Sequence, residues 1–425
     1  MTGSNLMSLV GLLVVLGIAF LLSDNKKHIR FPVVIWGVAF QFVFALLVLK
    51  TQPGRWFFTA TGNVVKKLLE FTAAGSSFVF GGLVSNPKSF GFIFAFQVLP
   101  TIIFISALMS VLYYLGIMQK VVEMIARVMV RFMKTSGTET LCCAGNIFMG
   151  QTEAPLLVKP YIEGATRSEL FAIMTGGFAT IAIGVMAVYS GLLGEFLPDA
   201  AGHLLAASIM SAPAALVMAK LLVPETEESK TMGRVKVALE KADVNIIDAA
   251  ANGAALGLKL AANVAGMLLA FIALIGMFNY GLGYLGILCN KLLGTHLNLS
   301  FELLSGWVFS PLAWIIGIPW QEATSVGRYL GTMVVVNEFV AYSNLADALR
   351  QGTVHLSERS IALAAYALCG FANFSSIAIQ IGGIGGMAPS RKGDMARLGL
   401  RALVAGSLAC LMTAAIAGVL IPAGK

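Results

Sequence analysis

Long apolar runs separated by short polar segments account for most of this chain. Eight of these runs come close to the roughly 20 apolar residues that a membrane-spanning helix requires. They cover residues 6–22, 31–49, 92–117, 170–193, 204–223, 255–280, 361–384 and 398–421. The pattern therefore predicts an all-α polytopic membrane protein with eight transmembrane helices.

Two further apolar stretches carry polar interruptions, and we predict that they are re-entrant hairpins. Residues 141–162 contain Asn146, the run 150–153 and Pro155, and residues 314–342 contain Pro319, Gln321, Glu322, Asn337 and Glu338. Each stretch has a polar tip between two short apolar arms, as expected of a segment that enters the membrane and returns to the same side. Non-helical backbone at membrane depth is tolerated only inside protein or beside a water-filled cavity.

Three other segments are polar on one side or throughout. Residues 120–134 place Glu123, Arg127, Arg131 and Lys134 on one helical side and apolar residues on the other, which predicts an interfacial helix. Residues 55–83 show the same pattern less distinctly. Residues 224–244 carry charges of both signs, and we expect a solvated loop with a helical part.

The order of these segments occurs twice along the chain. An interfacial helix, a hairpin and two spans run from about residue 120 to 223, and a hairpin and two spans run from about 314 to 421. Hairpins that enter from opposite sides make the halves an inverted repeat, with a binding site expected at the repeat interface near the midplane. Most of the 29 Lys and Arg residues then lie inside, so we expect both termini outside, although the basic group between Lys50 and Lys88 opposes this orientation.

Composition and charge agree with a membrane environment. Hydrophobic residues make up 58% of the chain and charged residues 12%, against roughly 25% charged residues in soluble domains. The net charge of +8 comes from basic residues in short loops, a pattern that orients membrane proteins and gives no reason to expect nucleic acid as a partner. The sequence contains no CxxC, HExxH or GxSxG motif, so it gives no support to a metal enzyme or a hydrolase.

Two carboxylates in the hairpin tips are the strongest functional candidates. An acidic side chain at the bilayer centre costs roughly 2.5–3.5 kcal/mol on insertion scales, so Glu153 and Glu338 require an explanation. One alternative is that they lie at the interface in water. The other is a polar cavity in which they accept hydrogen bonds from a ligand, and their polar neighbours favour it: Gln151, Thr152, Asn337, Asn373, Ser375 and Ser376.

The residue types restrict the ligand. Amides, hydroxyls and carboxylates suit a small, neutral, multiply hydroxylated molecule; a cation remains open, and a polyanion is disfavoured because no basic residue adjoins either tip. Phe371 can stack on a flat ring, or can simply pack against lipid or core. Asn146 and Thr180 are candidates for an ion site, because carbonyls of discontinuous helices and side-chain oxygens together can coordinate Na+. Alternatively, Thr180 hydrogen-bonds to a carbonyl of its own helix.

Three blocks of this sequence have a distinctive composition: residues 150–155 (Gly-Gln-Thr-Glu-Ala-Pro), 337–342 (Asn-Glu-Phe-Val-Ala-Tyr) and 370–376 (Gly-Phe-Ala-Asn-Phe-Ser-Ser). They resemble the signature blocks of the concentrative nucleoside transporters. Their order and spacing also agree, over essentially the whole chain. The resemblance implies a bacterial member of the family, a multi-pass protein of the inner (cytoplasmic) membrane that forms a homotrimer.

The resemblance also implies a division into a scaffold and a mobile transport domain. Residues 1–117 would be scaffold helices with an interfacial helix, and residues 118–223 the first transport repeat with hairpin 1. Residues 224–297 would be a loop and a scaffold helix, and residues 298–425 the second transport repeat with hairpin 2.

Site residues follow from the same resemblance. The base would be read by the run Gln151, Thr152 and Glu153, with Val185 and Phe371 lining its pocket. Glu338, Asn373 and Ser376 would bind the ribose hydroxyls. The Na+ ligands would be Asn146, the carbonyls of Met149 and Ile181, and the hydroxyl of Thr180, which stands where the family often has Ser.

We therefore expect a symporter that couples Na+ to the import of nucleosides such as uridine, cytidine and adenosine by an elevator motion. The alternative is a proton-coupled nucleoside symporter in which Glu153 or Glu338 carries the proton. A membrane enzyme or a channel would be a different class, but the sequence has no nucleophile or metal motif, and two opposed hairpins disfavour a continuous pore.

Overall fold

The computed structural model describes residues 3–86, 93–233, 243–293 and 298–422, and the regular structure in these ranges is helical throughout. This confirms the predicted all-α class. Five longer helices form the N-terminal part, named α1 (Gly3–Leu21), α2 (Phe31–Lys50), α3 (Gln52–Phe80), α4 (Leu99–Tyr114) and α5 (Ile117–Met133). Short helical turns lie at Lys26–His28, Gly82–Ser85 and Phe94–Gln97.

Local sequence explains how these helices begin and what they bury. Pro32 occupies the first turn of α2, where the backbone nitrogen makes no helical hydrogen bond and the missing N–H of proline therefore costs nothing. The Thr51 side chain accepts a hydrogen bond from the amide of Gly54 and so caps α3. α5 buries Met118, Val122 and Ala126 and leaves its charged side in solvent, as expected for the interfacial helix predicted at 120–134.

The middle of the chain contains four helices and several turns. They are α6 (Gly137–Gly145), α7 (Arg167–Ala179), α8 (Ile183–Leu193) and α9 (Ala200–Leu222), with shorter turns at Ala154–Val158 and Lys159–Ile162. α6 and α7 each begin with a capping box, formed by Ser136 with Glu139 and by Thr166 with Glu169. Each box satisfies amide groups that the first helical turn leaves without partners.

The C-terminal part begins with a very long helix and continues with six more. They are α10 (Ile246–Leu293), α11 (Phe301–Ile315), α12 (Trp320–Val335), α13 (Glu338–Arg350), α14 (Glu358–Ala367), α15 (Phe374–Met387) and α16 (Lys392–Leu420). A turn at Pro389–Arg391 precedes α16. α10 has 48 residues, and the predicted span 255–280 covers only its middle.

Seven helical stretches in the described ranges are long and apolar enough to cross a membrane. They correspond to seven of the eight predicted spans. The eighth, residues 361–384, is not one continuous helix, because residues 368–373 separate α14 from α15. A bent pair, α11 and α12, raises the number to eight if it is counted as one span.

The bounds predicted for the second hairpin do not match the helix boundaries. Its range, 314–342, begins at the end of α11, whereas the helix pair that meets at Asn337 and Glu338 is α12 with α13. Pro319 lies in a separate bend of 119° between α11 and α12. Gly317 has a φ of +102° there, and a Cβ on it would lie 1.9 Å from the Ser8 hydroxyl, so the bend requires glycine.

Several helices pack closely along one another, among them α11 along α12. α7, α9 and α16 make a buried core, with α1 packed along α16 and α2 along α9. α4 packs along α10, most of whose surface is exposed in the isolated chain. α1 and α2 therefore lie against helices of the predicted repeats, and α4 lies against α10.

A buried ion pair fixes the beginning of the first predicted hairpin. Lys220, near the end of α9, lies 2.5 Å from Glu139 of α6 and 3.4 Å from Glu225. Charges removed from water require partners, so this contact ties α6 to α9 and to the following loop. Residues 224–233 of that loop contain no helix, and residues 234–242 of the predicted solvated segment lie outside the described residues.

Candidate functional site

Four interruptions of helical structure meet around the candidate site. Tip 1 is residues 146–153, between α6 and the turn that begins at Ala154, and break 1 is residues 180–182, between α7 and α8. Tip 2 is residues 336–337, between α12 and α13, and break 2 is residues 368–373, between α14 and α15. Each interruption leaves peptide groups without a helical partner, and these groups need other partners when they are buried.

Two asparagines begin the helices that follow tip 2 and break 2. The side-chain oxygen of Asn337 accepts a hydrogen bond of 2.8 Å from the amide of Val340. The side-chain oxygen of Asn373 accepts bonds of 2.9 Å from the amide of Ser376 and 2.7 Å from the hydroxyl of Ser375. Asparagine is among the best N-caps, so the sequence itself determines that α13 and α15 start here.

Capping leaves the amide nitrogen of Asn373 available for Glu338. This nitrogen donates a hydrogen bond of 3.1 Å to Oε2 of Glu338, which is the first residue of α13 and is 5% exposed. The hydroxyl of Tyr189 in α8 donates a bond of 3.0 Å to the other oxygen, Oε1. The carboxyl group is thus held on both oxygens by residues from α8 and from the start of α15.

Tip 1 joins this arrangement through α15. Nε2 of Gln151 donates to the hydroxyl of Ser376 at 3.0 Å. Nε2 of Gln380 donates to Oε1 of Gln151 at 3.0 Å and to the carbonyl of Met174 at 3.1 Å. Ser376 and Gln380 are four residues apart and share one face of α15, so that face is the surface on which tip 1 rests.

Glycines allow the close approach of these elements. A Cβ on Gly383 would lie 2.5 Å from Cγ2 of Thr152, and a Cβ on Gly177 would lie 2.8 Å from Nε2 of Gln380 and 2.9 Å from Cβ of Gln151. Gly383 continues the face of α15 that carries Gln380. Tip 1 therefore sits between α7 and α15 at two positions where any side chain would displace it.

The structure brings four predicted ligand-binding residues into one hydrogen-bonded network. Gln151, Ser376, Asn373 and Glu338 are linked in that order, although they come from three separate segments. Glu153 is partly buried and its carboxyl accepts a bond of 3.0 Å from the amide of Gly150, which is a contact within tip 1. Among the described residues, no hydrogen bond connects Glu153 to this network.

The remaining predicted pocket residues lie at the two breaks. Val185, in the first turn of α8, is buried, and Phe371 in break 2 is partly buried. The amide of Phe371 donates to the carbonyl of Thr180 at 3.2 Å, and the amide of Ile183 donates to the carbonyl of Phe148 at 3.3 Å. Break 1 is therefore joined by its backbone to break 2, and the first residue of α8, directly after break 1, is joined to tip 1.

The predicted ion ligands supply neutral oxygens. Asn146 is fully buried, and its Oδ1 has no hydrogen-bond partner within the described part of the chain. The hydroxyl of Thr180 donates to the carbonyl of Gly176 at 2.9 Å, the helical bond given above as the alternative role, and its oxygen can still accept. In the described ranges, no amide or side chain donates to the carbonyls of Met149 and Ile181.

This donor set fits Na+ better than a transition metal. A buried amide oxygen without a partner normally carries a cost, which a cation would remove. Hard cations take oxygen ligands from side chains and backbone carbonyls. No group of three or more His, Cys, Asp or Glu residues that could hold a metal occurs among the described residues.

Sequence reasoning missed two residues of the network, Tyr189 and Gln380. Gln380 gave a usable signal, since it is a polar residue in an otherwise apolar helix, one turn after Ser376. Tyr189 gave none, because a tyrosine in an apolar run is ordinary for a membrane protein. Only the contact across 149 positions, to Glu338, distinguishes it.

Comparisons with known proteins agree with this geometry. The family model described as Na+ dependent nucleoside transporter C-terminus matches residues 203–418, and its N-terminal counterpart matches residues 10–83. A third family model, Gate, described as nucleoside recognition, matches residues 95–196. Together the three models cover most of the chain.

Relatives match over almost the full length of this chain. It is 46% identical over 418 residues to an uncharacterized transporter, YutK, of Bacillus subtilis (strain 168), covering 98% of this chain and 99% of that protein. It is 43% identical over 435 residues to sodium/nucleoside cotransporter 1 of Mus musculus, covering 99% of this chain and 64% of that protein. The mouse protein is therefore considerably longer than this chain.

Solved structures show the same fold. The structure of CNTnw in an inward-facing substrate-bound state superposes with a TM-score of 0.89 at 44% identity and covers 98% of each chain. Variants of CNTnw have been solved in an outward-facing state and in intermediate states.

A helical membrane fold in which broken helices meet at a buried polar network defines a secondary transporter. The chain belongs to the Na+ dependent nucleoside transporter family. This confirms the family that the three sequence blocks predicted, and Na+ as its coupling ion.

Proposed function

We propose that this protein is a Na+-coupled symporter that imports nucleosides across the bacterial cytoplasmic membrane. The observation that carries the proposal is the network from Gln151 through Ser376 and Asn373 to Glu338, adjacent to break 1. It combines amide, hydroxyl and carboxyl groups in a buried setting. Such groups suit a neutral ligand with several hydroxyls and a heterocyclic base, such as uridine, cytidine or adenosine.

Glu338, Asn373 and Ser376 are proposed to bind the ribose. Each carboxyl oxygen of Glu338 already accepts one hydrogen bond from the protein and retains a lone pair for a sugar hydroxyl. The hydroxyl of Ser376 accepts from Gln151 and keeps its own proton to donate. These groups therefore offer both acceptors and a donor, which is what vicinal hydroxyls need.

Tip 1 is proposed to bind the base. Gln151, Thr152 and Glu153 form the polar edge, while Val185 and Phe371 provide apolar contacts from the two breaks. The amide orientation of Gln151 is fixed by Ser376 on one side and by Gln380 on the other. A polar edge fixed in this way can discriminate bases by their hydrogen-bonding groups.

Na+ is proposed to bind at break 1 and tip 1 through Asn146, Thr180 and the carbonyls of Met149 and Ile181. Backbone bonds join Thr180 of break 1 to Phe371 of break 2, and Ile183, directly after break 1, to Phe148 of tip 1. An ion that fixes break 1 therefore also orders elements that touch the nucleoside. Coupling is reciprocal, so the ion and the nucleoside must strengthen each other's binding by the same factor.

Transport is proposed to occur by an elevator motion within a homotrimer. Residues 1–117 and α10 would form the static scaffold, in which α4 and α10 pack together, while the repeats at 118–223 and 298–425 would move. α10 exposes apolar residues along most of its 48 residues, which suits contact with other protomers and with lipid. The inward-facing, outward-facing and intermediate states known for CNTnw support alternating access.

The proposal is tested by uptake of radiolabelled uridine into proteoliposomes. One set of vesicles receives an inward Na+ gradient, and a second receives an equal choline gradient together with a proton gradient. We expect uptake above equilibrium with Na+ alone and its collapse when an ionophore dissipates the Na+ gradient. Uptake with protons alone would assign the coupling to a carboxyl group, and no uptake in either set would contradict the substrate class.

A further inference from the structure

Tyr189 contacts the proposed ribose site from α8, a helix whose only role assigned above is at the base pocket, through Val185. It lies in α8, is fully buried, and its hydroxyl is 3.0 Å from Oε1 of Glu338. The second carboxyl oxygen takes its hydrogen bond from Asn373. The two donors therefore come from different elements and reach the carboxyl group from different sides.

The ring of Tyr189 is held firmly by α13. It stacks on Tyr342 with ring centroids 4.3 Å apart and planes inclined by 22°. It also meets Phe339 edge to face, with centroids 5.5 Å apart. Glu338 and Tyr342 are four residues apart on one side of α13, so Tyr189 lies along that side with its ring on Tyr342 and its hydroxyl on Glu338.

These contacts limit how the carboxyl group can turn. The terminal torsion of a glutamate side chain is broad, so without fixed donors the two oxygens would sample many orientations. Tyr189 and Asn373 assign one donor to each oxygen and leave one orientation. An oxygen held in place is a better acceptor for a sugar hydroxyl than one that must first be ordered, since ordering costs conformational entropy.

We propose that Tyr189 is a positioning residue for nucleoside recognition, whose hydroxyl holds the carboxyl group of Glu338 in the orientation that accepts ribose hydroxyls. This inference rests on the proposed function. It adds α8 to the elements that determine sugar specificity. It also joins the two cargo sites, because α8 begins at Ile183, directly after break 1, and Tyr189 lies about 9 Å further along the same helix.

The test compares Tyr189→Phe with Tyr342→Phe in proteoliposomes. Both variants keep the stacked rings and lose one buried hydroxyl, but the hydroxyl of Tyr342 donates to the carbonyl of Ala365 at 2.6 Å and does not touch Glu338. Na+-driven uptake of uridine, 2′-deoxyuridine and 3′-deoxyuridine is measured for each. Thermal unfolding of the purified proteins reports any general loss of stability.

We expect Tyr189→Phe to raise the KM for uridine about tenfold with little change in maximal rate, as for a lost hydrogen bond to a charged group. The preference for uridine over at least one deoxyuridine should fall by a similar factor, because an analogue that lacks the bound hydroxyl gains nothing from an ordered carboxyl group. Tyr342→Phe should keep both quantities within about twofold of the wild type, since it leaves the bonds to Glu338 in place.

Three results would overturn the inference. They are equal KM changes in the two variants, equal losses for all three substrates in Tyr189→Phe, and an unchanged KM in Tyr189→Phe. If Tyr189→Phe does not fold, p-aminophenylalanine is placed at position 189, because it retains both the ring and a hydrogen-bond donor. Retained discrimination between uridine and the deoxyuridines supports the inference. Lost discrimination contradicts it. A wild type without Na+-driven uridine uptake would contradict the proposed function itself, whereas wild-type uptake with indistinguishable Phe variants would contradict only the role of Tyr189.

Discussion

Break 1 and break 2 interrupt apolar helices in corresponding places of the two halves, yet they are lined by different chemistry. Break 1 follows the C-terminus of α7 and carries the Thr180 hydroxyl and the Ile181 carbonyl, while the Asn146 amide of tip 1 lies against Gly176 in the last turn of α7. Break 2 precedes the N-terminus of α15 and brings together Asn373, Ser376 and the carboxyl group of Glu338. The first is a set of neutral acceptors, and the second mixes donors with a carboxylate.

Under the proposed function, this difference lets the same kind of helix interruption bind Na+ in one half and the nucleoside in the other. Interrupting a helix frees carbonyls at its C-terminal end, where the helix dipole favours a cation. At the N-terminal end it frees amides, and in break 2 these are capped by Asn373, so that side chains remain to recognise a neutral polar ligand. Substitutions at the two breaks should therefore affect different cargo.

The largest effect is expected for Glu338→Gln at break 2. The substitution replaces one carboxyl oxygen by a donor, which must then face the Tyr189 hydroxyl or the Asn373 amide, and it removes charge-assisted bonds of about 1.5–3 kcal/mol each. We expect uridine affinity to fall on the order of 100-fold. Free uracil, which lacks the ribose, should lose far less.

Binding of uridine and uracil to the purified variant, measured by calorimetry, checks this prediction. The half-maximal Na+ concentration, measured at saturating uridine, serves as the internal control, because break 1 is left intact. Equal losses for uridine and uracil would remove Glu338 from the ribose site and weaken the contrast between the breaks.

A smaller effect is expected for Asn146→Ala, and it should change the dependence on Na+ instead of the affinity for uridine. Loss of one buried oxygen ligand should raise the Na+ concentration for half-maximal uridine uptake about tenfold, with the uridine KM nearly unchanged at saturating Na+. Uptake measured over a series of Na+ concentrations checks this.

Cys142→Ala is the matched control for Asn146→Ala. Cys142 is fully buried one turn earlier, and its sulfur contacts the Asn146 amide nitrogen at 3.9 Å without supplying an oxygen. Both variants alter the same buried part of the protein, but only Asn146→Ala removes an oxygen that could bind Na+. An unchanged Na+ dependence in Asn146→Ala, or an equal change in Cys142→Ala, would take Asn146 out of the ion site.

The smallest effect is expected for Gln380→Leu, which lies between the two breaks. It frees the Gln151 amide without removing it, so we expect the KM for uridine to rise about threefold, as for one lost neutral hydrogen bond. The relative KM values for uridine, cytidine and adenosine should also change, because a mobile amide discriminates bases less well. Uptake competition with the three nucleosides measures both quantities.

Gln41→Leu provides the comparison for Gln380→Leu. Gln41 is also fully buried, bonds to a backbone carbonyl through Nε2 and has no partner for its Oε1 among the described residues, but it lies in α2 and its bond stays within that helix. Gln41→Leu should alter the stability of the protein without altering the relative KM values for uridine, cytidine and adenosine. The same change of order in both variants would mean that Gln380 acts on packing alone.

Much of the candidate site could be predicted because polar residues are conspicuous in apolar runs. Glu338, Gln151, Asn373 and Asn146 stood out for this reason, and the structure links the first three in one network. Break 2 could have been predicted too, since Gly370 and the capping Asn373 mark a helix boundary, but the apolar content of 361–384 outweighed them. The predicted range of hairpin 2 began too early because Pro319 breaks a helix more strongly than Asn337 does. Pro319 marks a different bend, between α11 and α12.

The sequence by itself determined that this chain is helical, where most of its membrane-spanning stretches lie, and which polar side chains need an explanation. These properties depend on composition and on neighbours a few residues apart, and they can be counted along the chain. The tertiary structure decided which of those side chains meet. Gln151 reaches Ser376 across 225 positions and Tyr189 reaches Glu338 across 149, and such contacts arise from helix packing, which no local pattern encodes. The role inferred for Tyr189 therefore became visible only when α8 and α13 were seen side by side.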